Sequence, residues 1–155
     1  MLSGVALHRN TALRDACHAI EHSTAKVLIL TGEGGRAFCA GGDIATWADT
    51  TPDSFSRHWV RDGHTAFDAL ARLRQPVIAV LNGHALGGGL ELAACADLRI
   101  AEQHITLGQP ETGLGVIPGW SGTQRLARDL GVRPCRCETS GGASCFLAPG
   151  REHPQ

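Results

Sequence analysis

Residues 76–101, PVIAVLNGHALGGGLELAACADLRIA, constrain the fold more than any other stretch of this sequence. The apolar run PVIAVL is typical of a short strand buried in a parallel sheet. Three consecutive glycines then overlap the start of GLELAACA, whose apolar spacing predicts a helix. Glycine at such a junction permits a tight turn with positive φ or a close approach between backbones. The stretch therefore predicts a strand, a tight glycine turn and a helix in immediate succession.

The same alternation of strand and helix patterns runs through the rest of the chain. Apolar residues recur at helical spacing in ALRDACHAI, in the segment from Thr51 to Arg74, and in TQRLARDLG. We expect Thr51 to cap the second of these helices, with Pro52 at its first position. Short strands are predicted at KVLILTG, DLRIA and HITLG, and the first is expected to be buried on both faces. This order predicts one layered α/β domain.

Charge and apolar patterning exclude several classes of protein. The 155 residues include 14 basic and 15 acidic side chains without a long run of either sign, so no nucleic-acid partner is expected. The longest apolar stretches are too short to span a bilayer, and the N-terminus lacks a signal-peptide pattern. We therefore expect a cytoplasmic protein without a membrane partner. Cys17, Cys39 and Cys95 lie in apolar or motif segments and are expected to be free thiols.

The glycine run can be a plain turn, or it can expose a backbone amide to a ligand. The sequence contains neither G-x-G-x-x-G nor G-x-x-x-x-G-K-[ST], which removes the main support for a nucleotide site. The N–H of Gly88 is instead a candidate donor to a developing oxyanion, since glycine lets a substrate carbonyl come close. Such a site usually has two donors, and FCAGGD, with Ala40 after a strand pattern, supplies a second candidate. A simple glycine turn remains the alternative for either motif alone.

Two glutamates accompany these glycine motifs. Glu91 follows Gly88 by three residues, so a helix would place both on one face. Glu111 lies twenty residues further on, in the proline- and glycine-rich segment LGQPETGLGVIPG. Two carboxyl groups beside an oxyanion hole can divide acid and base work, because burial and mutual repulsion separate their pKa values. Either glutamate alone is more often a solvated surface residue.

These motifs together resemble the crotonase superfamily, the enoyl-CoA hydratases and isomerases. The resemblance covers about residues 12–132 and rests on AFCAGGDI, PVIAVLNGHALGGGLELAACADLRIA, LGQPETGLGVIPGWSGTQRL and the spacing between them. It implies a ββα spiral that binds acyl-CoA thioesters and needs no cofactor beyond the coenzyme A of the substrate. The motif positions imply that the oxyanion-hole amides belong to Ala40 and Gly88 and that the hydratase glutamates are Glu91 and Glu111. Gly119 matches the family glycine beside the catalytic water.

The resemblance implies hydration of a 2-enoyl thioester, in which Glu111 gives a proton to C2 and Glu91 holds and deprotonates the water. Other crotonase reactions remain open, namely isomerisation, hydrolysis and decarboxylation, because they use the same oxyanion chemistry. Trp120 either narrows the acyl pocket or acts as a packing aromatic, and packing is favoured. His84 and the remaining histidines have no obvious partner in the sequence and are interpreted as structural. Arg36 is the candidate for a residue that contacts coenzyme A.

The two ends of the chain depart from the family pattern. We expect residues 1–132 to form a partial crotonase-like core and residues 133–155 to form an irregular tail outside the family pattern. The resemblance implies a homotrimer or hexamer, but the C-terminal helices that build these oligomers have no counterpart in this sequence. A catalytically silent fragment is therefore the competing hypothesis. A zinc site is the less favoured alternative for the tail, because the spacing of its candidate ligands fits no usual pattern. Those candidates are Cys135, Cys137, Cys145 and His153.

Overall fold

The computed structural model of the protein describes residues 7–47 and 49–130. Helix α1 spans Leu7–Glu21, and the other α-helices are α2 (Pro52–Ser54), α3 (Arg61–Ala71), α4 (Gly88–Ala93) and α5 (Gly122–Leu130). Short 3-10 helices span Ile44–Trp47 and Pro110–Leu114. The strands are β1 (Leu28–Thr31), β2 (Ala37–Cys39), β3 (Val77–Leu81), β4 (His84–Leu86), β5 (Leu98–Ala101) and β6 (Leu107–Gly108). Each helix and strand predicted from the sequence is present.

The strands and helices follow a threefold repeat after α1. In each repeat two short strands precede a helix, so that β1, β3 and β5 form one three-stranded sheet and β2, β4 and β6 form another. All strand pairs are parallel, with Leu30 opposite Ala79 and Leu86 opposite Gly108. Consecutive strands therefore enter different sheets. This arrangement confirms the predicted α/β class and its ββα repeat.

The main core lies around the central strand β3 and the helices α1 and α3. Successive residues of β3 alternate between buried and half-buried, because their side chains point to opposite faces of the sheet. Phe67 and Leu70 of α3 pack into the same cluster as Val77 and Ala79 of β3. Complete burial of such an apolar side chain contributes roughly 1.5–3 kcal/mol of transfer free energy. The helical apolar stripe of the sequence thus supplies one wall of the core.

The prediction that KVLILTG is buried on both faces is wrong within the part of the chain that the structure describes. Strand β1 lies at an edge of its sheet, and its residues alternate between half-buried and exposed. Ile29 is 62% exposed, and Leu98 and Ile100 of the opposite edge strand are exposed to a similar degree. The core packs against one face of this sheet. An apolar strand sequence is compatible with burial of both faces of the strand. Each face is buried only if another layer of the fold covers it.

The segment from Thr51 onward forms the helix that borders the candidate site. The Thr51 hydroxyl accepts a hydrogen bond from the N–H of Ser54 at 3.2 Å, and Pro52 follows at the first position. This confirms the predicted cap. A π-helical turn, Phe55–Val60, connects α2 to α3 and bears the aromatic residues Phe55 and Trp59. The helix ends at Ala71, three residues before the expected Arg74.

Several expectations concern cysteines, membrane segments and the tail. Cys17, Cys39 and Cys95 are buried and form no disulfide among the described residues, which confirms that prediction. Among the described residues no helix combines the length and apolar character needed to cross a bilayer. The predicted boundary at residue 132 and the tail residues Cys135, Cys137, Cys145 and His153 lie outside the described residues.

Candidate active site

The even-numbered strands bring three loops to one place. Ala40 follows β2, Gly88 follows β4 after one residue, and Glu111 follows β6 within three residues. Because Cys39 pairs near Ala85 and Leu86 lies opposite Gly108, the carboxyl ends of these parallel strands are adjacent. This edge of a parallel sheet is where ligands bind in many α/β proteins. Residues far apart in sequence therefore converge without any long excursion of the chain.

All five site residues predicted from the sequence line a single cavity of about 660 Å³. They are Ala40, Gly88, Glu91, Glu111 and Gly119. Most of the other side chains that line the cavity are apolar, among them Ile44, Trp47, Phe55, Trp59, Leu114 and Ile117. A cavity of this size with a few convergent polar groups suits an organic ligand. The structure brings the predicted residues together.

The glycine run serves both the turn and the approach of neighbouring groups. Gly87 has φ of 55°, and a methyl group there would lie 2.7 Å from Glu111 Oε1. Gly88 is the first residue of α4, so its amide has no partner within the helix. A methyl group on Gly41, which follows Ala40, would lie 3.5 Å from the Gly88 nitrogen. The Ala40 and Gly88 loops are thus in contact.

Glu91 is held by backbone amides inside the protein. Glu91 is 1% exposed, and its Oε1 accepts hydrogen bonds from Trp120 N at 2.8 Å and Gly122 N at 2.6 Å. Burial raises the pKa of Glu91, although these amides and the charge of Arg125 act in the opposite direction. A methyl group on Gly122 would lie 2.6 Å from Glu91 Cγ. The 120–122 backbone therefore fixes where this carboxyl group points.

Glu111 is in a different electrostatic environment. The residue is 8% exposed, and its Oε2 has no hydrogen-bond partner among the described residues. Burial raises the pKa of Glu111 to about 7; a hydrogen bond with its own backbone acts in the opposite direction, and the charge of Glu91 adds a smaller increase. Glu91 receives two N–H bonds that favour its carboxylate, whereas Glu111 keeps its proton up to neutral pH. The pair can therefore present one base and one acid at the same time.

Trp120 does not line the cavity. Its ring is fully buried between Trp59 and Phe67, and its Nε1 donates to the carbonyl oxygen of Trp59 at 3.1 Å. This confirms that Trp120 is a packing aromatic. A methyl group on Gly88 would lie 2.6 Å from Trp120 Cζ3, so Gly88 also has a packing reason to be glycine. Gly119 approaches Trp59 in the same way, with 2.8 Å to Cζ3.

The sequence interpretation missed one polar pair in the cavity. His64 of α3 and Ser121 both line it, and Ser121 Oγ lies 2.8 Å from His64 Nδ1. The histidines were expected to be structural. Helical spacing could have placed His64 one turn after Val60, on the cavity side, but nothing in the sequence connects it with Ser121. Arg36, the candidate for a coenzyme A contact, is exposed on the loop before β2 and does not line the cavity.

Comparison with known proteins assigns the chain to a family. The family model described as enoyl-CoA hydratase/isomerase matches residues 6–138. A crotonyl-CoA hydratase from Syntrophomonas wolfei is 44% identical over 129 residues, which are 81% of this chain and 49% of that protein. A short-chain-enoyl-CoA hydratase from Clostridium acetobutylicum is 45% identical over 105 residues, 68% of this chain and 40% of that protein. The chain belongs to the enoyl-CoA hydratase/isomerase family.

Solved structures give the same assignment for the fold. An enoyl-CoA hydratase from Bacillus anthracis superposes with a TM-score of 0.83 at 40% identity, covering 88% of this chain and 53% of that one. A Geobacillus kaustophilus relative superposes with a TM-score of 0.87 at 32% identity, covering 93% and 55%. The chain thus has a crotonase-type fold, and it spans about half the length of the relatives it matches.

Proposed function

We propose that the protein acts as an enoyl-CoA hydratase, which adds water across the double bond of a 2-enoyl-CoA thioester. The observation that carries the proposal is the convergence of two differently held carboxyl groups, Glu91 and Glu111, on one cavity with the loops of Ala40 and Gly88. Membership of the enoyl-CoA hydratase/isomerase family supports the same substrate class.

The backbone amides of Ala40 and Gly88 are proposed to bind the thioester oxygen. When a nucleophile adds at C3 of the acyl group, negative charge moves through C2 to this oxygen. Amides that are already oriented stabilise the enolate without reorganisation, and one such donor contributes about two to three powers of ten in rate. Gly41 and Gly88 lie so close that a methyl group on either would touch the backbone of the other, and this proximity supports two donors acting on one atom.

The two glutamates are proposed to divide the proton transfers. Glu91, with its carboxylate held by Trp120 N and Gly122 N, takes the proton of the water that attacks C3. Glu111, whose pKa of about 7 leaves it protonated near neutral pH, gives its proton to C2. Water therefore contributes OH to C3, C2 receives one proton, and the net charge on the two glutamates is unchanged. Gly119 is proposed to line the place where the water lies.

Two carboxyl groups and two amides supply acid, base and charge stabilisation, so the proposed reaction includes no cofactor besides the coenzyme A of the substrate. We propose a cytoplasmic role in fatty acid metabolism, in which the protein acts on acyl-CoA thioesters. The catalytic residues all fall within the proposed 1–132 core.

A hydration assay with the purified chain tests this function. Crotonyl-CoA is incubated with the protein, and the product is separated and identified, while size-exclusion chromatography reports whether the sample is a defined species. We expect 3-hydroxybutyryl-CoA. Formation of crotonyl-CoA from 3-butenoyl-CoA without any hydrated product would instead assign the site to isomerisation. A folded sample that converts neither thioester would contradict the proposal.

A further inference from the structure

The proposed hydration chemistry leaves one polar feature of the cavity unused. His64 lies on α3 and Ser121 on the loop before α5, and their side chains meet at 2.8 Å between Nδ1 and Oγ. Both residues line the cavity beside mostly apolar neighbours. A polar pair on an apolar wall costs desolvation unless its hydrogen-bonding groups find partners. The pair is therefore a candidate for contact with a ligand.

Ser121 occupies a backbone conformation that favours glycine. It is the one residue other than glycine with positive φ among the described residues, at 73°. A side chain in this region is sterically unfavourable, and such strain is concentrated at functional sites. Glycine at position 121 would avoid the strain but would lose the hydroxyl group that meets His64. The observed residue keeps the hydroxyl group despite this strain.

The pair retains hydrogen-bonding capacity whichever nitrogen of the neutral imidazole bears the proton. If Nδ1 accepts the Ser121 proton, Nε2–H remains a donor and the serine oxygen remains an acceptor. If Nδ1–H donates instead, the Ser121 hydroxyl group is the remaining donor and Nε2 is an acceptor. Either form offers one donor and one acceptor. A hydroxyl group, which is itself a donor and an acceptor, matches this capacity.

The position of Ser121 indicates which part of an acyl chain it would meet. Its neighbours Trp120 and Gly122 donate the two amides that hold Glu91. In the proposed function Glu91 acts on the water that adds at C3, so the hydroxyl group of Ser121 lies beside the C3 end of the acyl group. The next carbon, C4, is the nearest position where a substituent does not interfere with the reaction.

The charges around the cavity favour a neutral substituent over an acidic one. Glu91 lines the same cavity, and its carboxylate would repel a carboxylate on the ligand. Asp68 lies one turn after His64 on α3 and pairs with the buried Arg125, which also donates to Trp120 O. Arg125 is therefore occupied. A hydroxyl group needs no countercharge.

We propose that His64 and Ser121 form a subsite for a hydroxyl group at C4 of the acyl chain, so that the protein prefers 4-hydroxy-2-enoyl thioesters to unsubstituted ones. This inference rests on the proposed binding of 2-enoyl thioesters in the cavity.

The test compares two thioesters that differ by one oxygen atom, crotonyl-CoA and 4-hydroxycrotonyl-CoA. The ratio of their kcat/KM values is measured for the wild type, Ser121→Ala, Ser121→Gly and His64→Phe. Reactivity differences between the thioesters cancel when the ratios are compared. Thr65→Ala is the matched control, because Thr65 neighbours His64 but is exposed and bonds to Arg61 O. If the chain has no turnover, the ratio of dissociation constants for the same two thioesters is measured by calorimetry.

We expect the preference for the hydroxylated thioester to fall about tenfold in the three site variants and to stay unchanged in Thr65→Ala. Ser121→Gly separates this role from a structural one, since it relieves the backbone strain and should melt no lower than Ser121→Ala. Equal ratios in wild type and site variants would overturn the subsite while leaving the proposed hydration intact. A protein that binds neither thioester would overturn both, and preference without turnover would support the subsite alone.

Discussion

Replacing Glu111 by glutamine should change how the stability of the protein depends on pH. Glu111 is 8% exposed, and its Oε2 lacks a hydrogen-bond partner among the described residues. Burial raises its pKa to about 7 from an ordinary value of 4.5. The folded state therefore keeps the proton over a pH range in which the unfolded chain has released it. Glutamine has nearly the same shape but does not ionise.

The size of the effect follows from the two pKa values. Between pH 4.5 and about 7 the folded protein binds more protons than the unfolded chain, so its stability falls as the pH rises. Each pH unit in this window corresponds to about 1.4 kcal/mol. Above pH 7 the ionised Glu111 should therefore lower the free energy of unfolding by about 3 kcal/mol relative to the protonated form. Glu111→Gln should remove this pH-dependent loss.

Urea unfolding of the wild type and the variant at a series of pH values from 5 to 8.5 measures the difference. Glu111→Gln should gain on the wild type as the pH rises from 5 to about 7, and the difference should then stay level up to pH 8.5. Glu33→Gln is the control, since Glu33 is exposed on the loop between β1 and β2. Parallel stability curves for wild type and Glu111→Gln would refute the assignment of a raised pKa to this residue.

Three further changes test other parts of the site. Gly122→Ala places a methyl group 2.6 Å from Glu91 Cγ and should displace that carboxyl group, so we expect kcat for crotonyl-CoA to fall at least about tenfold. Gly113→Ala is the control, because a methyl group there has no neighbour within 4 Å and kcat should be retained. Gly63→Ala forces a methyl group into the indole of Trp120, and denaturant unfolding should show a loss of about 1–3 kcal/mol; an unchanged midpoint would contradict that packing. The kcat/KM of the wild type should decrease as the pH rises through about 7, because ionised Glu111 has no proton to give; a pH–rate profile that stays level to pH 9 would argue against this role.

The fold was predictable where local patterns determine it. Apolar periodicity located α1, α3 and β3, and the Thr51–Pro52 pair located a helix start. The exposure of Ile29 was not predictable, because a strand pattern contains no information about which layers cover each face. Burial of a sheet face is decided by packing between elements rather than within one.

The candidate site divides in the same way. The motifs predicted that Glu91 and Glu111 would share a cavity with Ala40 and Gly88, since strand ends and short loops fix their positions. The sequence predicted only one of the two reasons why position 88 is a glycine. A side chain on Gly88 would collide with Trp120, so Gly88→Val would destabilise the core as well as block the proposed oxyanion site. A large loss of stability is therefore expected from that substitution.

Contacts between distant residues were out of reach of sequence reasoning. Ser121 and His64 are 57 positions apart in the sequence. Ser121 has a left-handed backbone conformation, which serine in a sequence does not predict. The amides that hold Glu91 are likewise supplied by a loop about thirty residues away. Such contacts depend on the relative placement of helices and loops in the finished fold.

Crotonyl-CoA hydration by the wild type, Glu91→Gln and Glu111→Gln, measured side by side, tests the central claim most directly. Glutamine at position 91 keeps an oxygen that can accept from Trp120 N and Gly122 N, so the fold should be preserved. We expect the wild type to form 3-hydroxybutyryl-CoA and each variant to lose at least about two powers of ten in kcat while still binding the thioester. Wild-type turnover in either variant, or a loss of binding as large as the loss of rate, would contradict the account.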